Sequence, residues 1–185
     1  MTDSAYLIDN ECRITAPDAI RIERMLPGPA ERVWRYLTEP ELRRQWLAAG
    51  EFSLSQGGEI ELLFDNSELT DENDVVPEKH REHAGRHRVA GKVIACDEPR
   101  LLSFTWGGEI GEASEVTFTL TPHADRVLLV LTHQKAKSRG MMVSISGGWH
   151  THLDLLAAKL EGRTPDSFWR KFAVLEQRYE QLIPE

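Results

Sequence analysis

The chain has 185 residues, with 22 Lys and Arg against 30 Asp and Glu and a net charge of −8 at neutral pH. That length suits one hydrophobic core rather than two, and 41% hydrophobic with 28% charged residues excludes wholesale disorder. No apolar run approaches the roughly 18 residues of a membrane helix, and Cys12 and Cys96 are too few for a disulfide framework or a four-cysteine zinc site.

The acidic excess is local. Residues 59–82 carry nine carboxylates against Lys79 and Arg81, a net of −7, so the rest of the chain is almost neutral. No basic stripe interleaves with aromatics, which argues against nucleic acid as a partner. The start, MTDSAYLIDNECR, has neither a basic n-region nor an apolar h-region, and the expected location is the cytoplasm, with no membrane as partner.

Residues 1–18 read as an N-terminal extension. AIRIER (19–24) alternates Ile20 and Ile22 with Arg21 and Glu23, the period of a half-buried strand. Pro29 suits a helix start, and Ala30, Val33, Trp34 and Leu37 then share one helical face, with Glu31 and Arg35 spaced to pair. Thr38 and Glu41 read as a capping box that opens a second short helix through Leu42 and Trp46. Phe52 and Leu54, the Gly57-Gly58 turn, and Ile60, Leu62 and Phe64 predict a hairpin. From Asp65 to about Arg86 periodicity is lost, which predicts a long acidic loop with a helical turn near 77–83, long and polar enough to serve as a lid.

Between 87 and 133 the alternation returns four times, in RVAGKVIAC, LLSFTW, EVTFTLT and RVLLVLTH, an antiparallel meander. Trp149, Leu153, Leu156 and Leu160 form a helical stripe that begins near Gly147-Gly148 and ends at Gly162. A final helix follows Thr164-Pro165, with Phe168, Phe172, Leu175, Tyr179 and Leu182 on one stripe that packs on its own domain, or on a second copy or partner helix. One strand, two short helices, further strands and then helices make an α+β fold: an antiparallel sheet of six to seven strands with helices on one side.

PAERVWRYLTEPELRRQWL (29–47), GKVIACDEPRLLSFTW (91–106), EVTFTLTPHADRVLLVLTH (115–133) and GGWHTHLDLLAAKLEG (147–162), in this order, resemble the START-like helix-grip superfamily SRPBCC. Within it they resemble a bacterial member of the branch named after activators of the ninety-kilodalton heat-shock chaperone ATPase. The resemblance covers about 19–162 as one domain, followed by 163–185 as an appended helix. It implies a curved sheet gripping a long C-terminal helix, with a cavity between them that in many relatives holds an apolar or amphipathic small molecule. The eukaryotic activators carry this domain behind a separate N-terminal domain. The same scaffold also serves lipid carriers, hormone receptors and cyclases, so fold alone does not select among functions.

On this fold, strand parity places Phe104, Trp106, Val116, Phe118, Leu129, Leu131 and His133 on the sheet wall of the cavity and Trp149, His152, Leu153 and Leu156 on the helix wall. The expected function is binding of an apolar or amphipathic small molecule. Two alternatives stand beside it: a chaperone-ATPase activator or other protein-interaction module, and a cavity enzyme using His133 or His152 as general acid/base. His80, His83 and His87 have metal-like spacing, but their polar surroundings read as a solvated surface. His150 and His152, two apart on a helix, point about 200° apart and cannot share an ion. Ser144, Ser146, Cys12 and Cys96 lack nucleophile-elbow context, and neither metal nor cofactor is expected.

Overall fold

A computed structural model describes residues 10–71, 74–82 and 84–185. Its strands are β1 (Arg13–Ala16), β2 (Ala19–Pro27), β3 (Glu59–Phe64), β4 (His87–Asp97), β5 (Leu101–Trp106), β6 (Ser114–His123) and β7 (Arg126–Gln134). The helices are α1 (Ala30–Thr38), α2 (Pro40–Arg43), α3 (Arg139–Leu160) and α4 (Phe168–Leu182). All seven strands join one antiparallel sheet in the order β1-β2-β7-β6-β5-β4-β3. The sheet curves round α3 in the helix-grip α+β architecture.

Register follows the apolar period. Ile22 pairs with Leu131 and Leu131 with Phe118, while His133 lies between Ile20 and Val116. Each row turns one continuous apolar band toward α3. Arg24 continues the inward face of β2 and is fully buried; its guanidinium meets Asp154 of α3 at 2.9 Å and the carbonyls of Asn10 and Glu23. A buried cation inside an apolar strand is tolerated because carboxylate and carbonyl oxygens replace its water.

Several local expectations give way to tertiary contacts. The Phe52–Leu54 arm is no strand: it meets β3 at the isolated bridge Phe52–Ile60, and Ala49 just before it makes another with Leu63. The seventh strand is instead β1, cut from the stretch read as an extension, where Cys12 N–H donates to the buried Tyr179 hydroxyl at 3.1 Å. Thr38 closes α1 and donates its hydroxyl to the Trp34 carbonyl, so no capping box forms. α2 starts at Pro40 and ends at Arg43, because the buried Arg43 side chain gathers the carbonyls of Leu37, Thr38, Ala48 and Gly50 and lies 3.7 Å over Phe52. Arg35 pairs with Glu39 at 2.7 Å rather than with Glu31.

α3 begins two turns earlier than its apolar stripe indicates. Ser138 caps it by accepting from Met141 N–H at 3.1 Å, so Gly147 and Gly148 are mid-helix residues. Gly162 ends the helix in the left-handed region, as expected. α4 packs on α3: a Cβ at Gly147 would lie 3.4 Å from the Glu176 backbone. Phe168, Phe172, Leu175 and Tyr179 are buried as the stripe requires, but Leu182 is exposed and Ile183 is buried in its place. The Tyr179 hydroxyl and His150 Nδ1 share a hydrogen bond at 2.7 Å, which ties α4, α3 and the approach to β1 together.

Candidate ligand cavity

Eight of the eleven residues assigned to the cavity wall lie in solid packing. Phe104, Val116, Phe118, Leu129, Leu131, His133, Leu153 and Leu156 are at most 2% exposed, and none of them is among the residues that line the cavity described next. Between the middle of the sheet and α3, apolar side chains interdigitate and fill the grip. Of several open spaces around the described residues, the one walled by α3 and by aromatic side chains lies at one end, where β3 and β4, described residues of the 65–86 segment, α3 and the start of α4 converge. Trp106, Trp149 and His152 reach it, and it measures about 700 Å³.

Its wall is aromatic. Phe64 and Trp106 come from the sheet, Trp149 from α3, and Phe168, Trp169 and Phe172 from α4. Trp106 meets Trp149 edge to face at 5.3 Å, and Phe168 stacks on Phe172 at 6.0 Å. Phe168 and Phe172 belong to the packing stripe read from the sequence and Trp169 does not; that their free edges wall a cavity depends on how α4 docks, which no local spacing encodes.

Loop residues Asn66, His80, Glu82, Gly85 and Arg86 complete the rim. The described residues of the loop form 3-10 turns at Asn66–Glu68 and Glu78–His80, the latter where a helical turn was expected. Asp74 accepts from Trp169 N–H at 2.9 Å, from Thr70 Oγ1 at 2.8 Å and from Ser167 Oγ, while Thr70 accepts from Phe168 N–H. The loop thus supplies hydrogen-bond acceptors to the N-terminal turn of α4. Further on, Lys79 and His80 both reach Glu176 of α4 at 2.8 Å.

The two cavity-side histidines differ. His133 Nδ1 accepts from Trp149 Nε1 at 3.0 Å, which leaves the proton on Nε2, 2.9 Å from Ser114 Oγ. Both its nitrogens are engaged within the core. His152 donates from Nδ1 to the Trp46 carbonyl at 2.7 Å, so its lone pair is on Nε2. Burial pushes both imidazoles down to about 4, and both are neutral at pH 7. His150 faces the opposite side of α3, toward Tyr179 and Asp154, as their helical offset requires.

Among the described residues no three metal-binding side chains converge. His80 is held by Glu176, His87 stacks on Phe64 at 4.8 Å, and His83 lies outside the described residues. Both cysteines are free thiols. No described helix is long and apolar enough to cross a membrane.

Comparison with known proteins agrees with this architecture. The protein encoded by gene BPP1335 of Bordetella parapertussis is 40% identical, with a TM-score of 0.80 over 100% of this chain and 97% of that one. CalU16 from Micromonospora echinospora shares the fold at 23% identity and a TM-score of 0.65, over 90% of this chain and 89% of its own. EF2215 from Enterococcus faecalis does so at 20% identity and 0.65, over 94% and 91%. No functionally curated protein matches the chain. Residues 27–161 match the family described as activator of Hsp90 ATPase homolog 1-like protein, and the chain belongs to that family.

Proposed function

We propose that the protein binds a small apolar or amphipathic molecule in the cavity between α3, α4 and the 65–86 loop, and that it does so in the cytoplasm. The observation that carries this reading is the contrast within one grip: solid packing under the middle of the sheet, and at one end about 700 Å³ walled by six aromatic side chains. That volume is in the range of drug-sized ligand sites, and aromatic walls with a few polar groups are their usual lining. Trp106, Trp149 and His152 contact the ligand directly; the other eight residues expected on the wall act as the packed floor that keeps those three in place. The loop covers the ligand, since Asp74, Lys79 and His80 anchor it to α4, which forms the far wall. The family description also offers a chaperone ATPase as a partner. The cavity favours the small molecule.

Native mass spectrometry of the protein as purified, repeated after challenge with the neutral probe N-phenyl-1-naphthylamine, tests the reading. It expects a one-to-one adduct released on denaturation. A bare protein mass in both samples contradicts it.

A further inference from the structure

The polar groups of the cavity are uneven in kind. His152 Nε2 carries a lone pair and makes no hydrogen bond among the described residues, because Nδ1 is committed to Trp46. Asn66, on the same wall, has a buried Oδ1 without any partner. Unpaired buried acceptors are rare in native proteins, and among the described residues Asn66 Oδ1 is the side-chain atom of that kind, while His152 Nε2 is an acceptor that no protein donor fills. The donors nearby do not fill it: Arg86 turns outward to Asp65 at 2.9 Å, and Lys79 and His80 are both held by Glu176. Glu82 adds negative charge to the lining, and Glu176 is already paired with Lys79.

Resting on the reading of the cavity as a ligand site, we propose that its ligand is a neutral, flat aromatic molecule that brings its own donor. A phenol or arylamine would donate its O–H or N–H to His152 Nε2. Burial keeps His152 an acceptor at neutral pH, since its imidazole is pushed down to about 4. A carboxylate-headed amphiphile meets the opposite situation: its charge would face a lone pair and Glu82 with no free cation among the described lining residues. Flat rings suit the wall because Trp106, Trp149, Phe168 and Phe172 offer π faces and edges.

Three probes on one ring system separate the possibilities: 2-naphthol, 2-methoxynaphthalene and 2-naphthoate, each titrated into the full-length protein and followed by tryptophan fluorescence. The expected result is that 2-naphthol binds about tenfold tighter than either of the others, the worth of one neutral hydrogen bond. His152→Asn keeps an amide donor for the Trp46 carbonyl and has no atom at Nε2, so it should bring 2-naphthol down to the affinity of 2-methoxynaphthalene. Where that variant does not fold, the ring-nitrogen chemical shifts of His152 in the parent protein serve instead: 2-naphthol should move Nε2 and leave Nδ1 in place, and an unmoved Nε2 contradicts the contact. Equal or tighter binding of the methoxy or carboxylate probe overturns the donor requirement while leaving the cavity reading intact. Failure of all three probes and of N-phenyl-1-naphthylamine to bind overturns the cavity reading and this inference with it.

Discussion

Gly148 faces the cavity from the middle of α3, and a Cβ built there meets nothing within 4 Å. Gly148→Phe therefore places a ring in the proposed binding space without forcing the backbone. Removing a mid-helix glycine recovers about 0.5 kcal/mol. Moving a phenyl ring from water to aromatic surroundings adds about 1.5–3 kcal/mol, from which side-chain ordering subtracts up to about 1 kcal/mol. The net gain of about 1–3 kcal/mol corresponds to a rise in Tm of about 2–10 °C for a chain of this size. Differential scanning calorimetry reads the stability, and titration with N-phenyl-1-naphthylamine reads the cavity. The expected variant is more stable and has lost the probe. A variant that is destabilised, or that binds the probe as tightly as the parent, refutes the reasoning, since the space would then be either already occupied or not the binding site.

Acid should destabilise the fold well above the carboxylate range. Burial lowers His133 and His152 from the usual 6.5 to about 4, so between those values the unfolded chain binds protons that the folded chain refuses. Stability is full above about pH 6.5 and falls as pH drops toward 4, by up to about 1.4 kcal/mol per pH unit for each imidazole. Urea midpoints measured across that window check it, and a flat profile contradicts it. Tyr179→Phe strands Cys12 N–H and His150 Nδ1; chemical denaturation should show a loss of about 1–3 kcal/mol. Asp74→Ala strips acceptors from the N-terminal turn of α4 and unpins the loop, with an expected cost of about 1–2 kcal/mol. The same variant should also speed release of N-phenyl-1-naphthylamine in stopped-flow displacement.

The strands were legible because the period of two is local: Ile20 and Ile22, or Val116 and Phe118, declare their face without reference to the rest of the chain. β1 was not, because RITA has no such alternation, and its place depends on Tyr179, far along the sequence. α3 was placed late for a related reason. Paired glycines read as a helix start, yet Gly147 is where α4 approaches closely and Gly148 opens onto the cavity. The inward parity of Phe104, Val116 and Phe118 was correct, but parity separates inside from outside and cannot separate packed interior from hollow. That distinction rests on volumes summed over several elements. Trp106, Trp149 and His152 sit where the sheet and α3 run out of partners, while Asn66, Phe168 and Trp169 reach the same space through the loop–α4 dock, for which Asp74 and Thr70 leave no recognisable pattern in sequence.

The most direct measurement is an isotope-filtered NOE experiment on labelled protein with unlabelled 2-naphthol. The account predicts contacts from the naphthalene ring to the side chains of Trp106, Trp149, Phe168 and Phe172. Contacts confined to other surfaces, with those four side chains silent in a saturated complex, would contradict it.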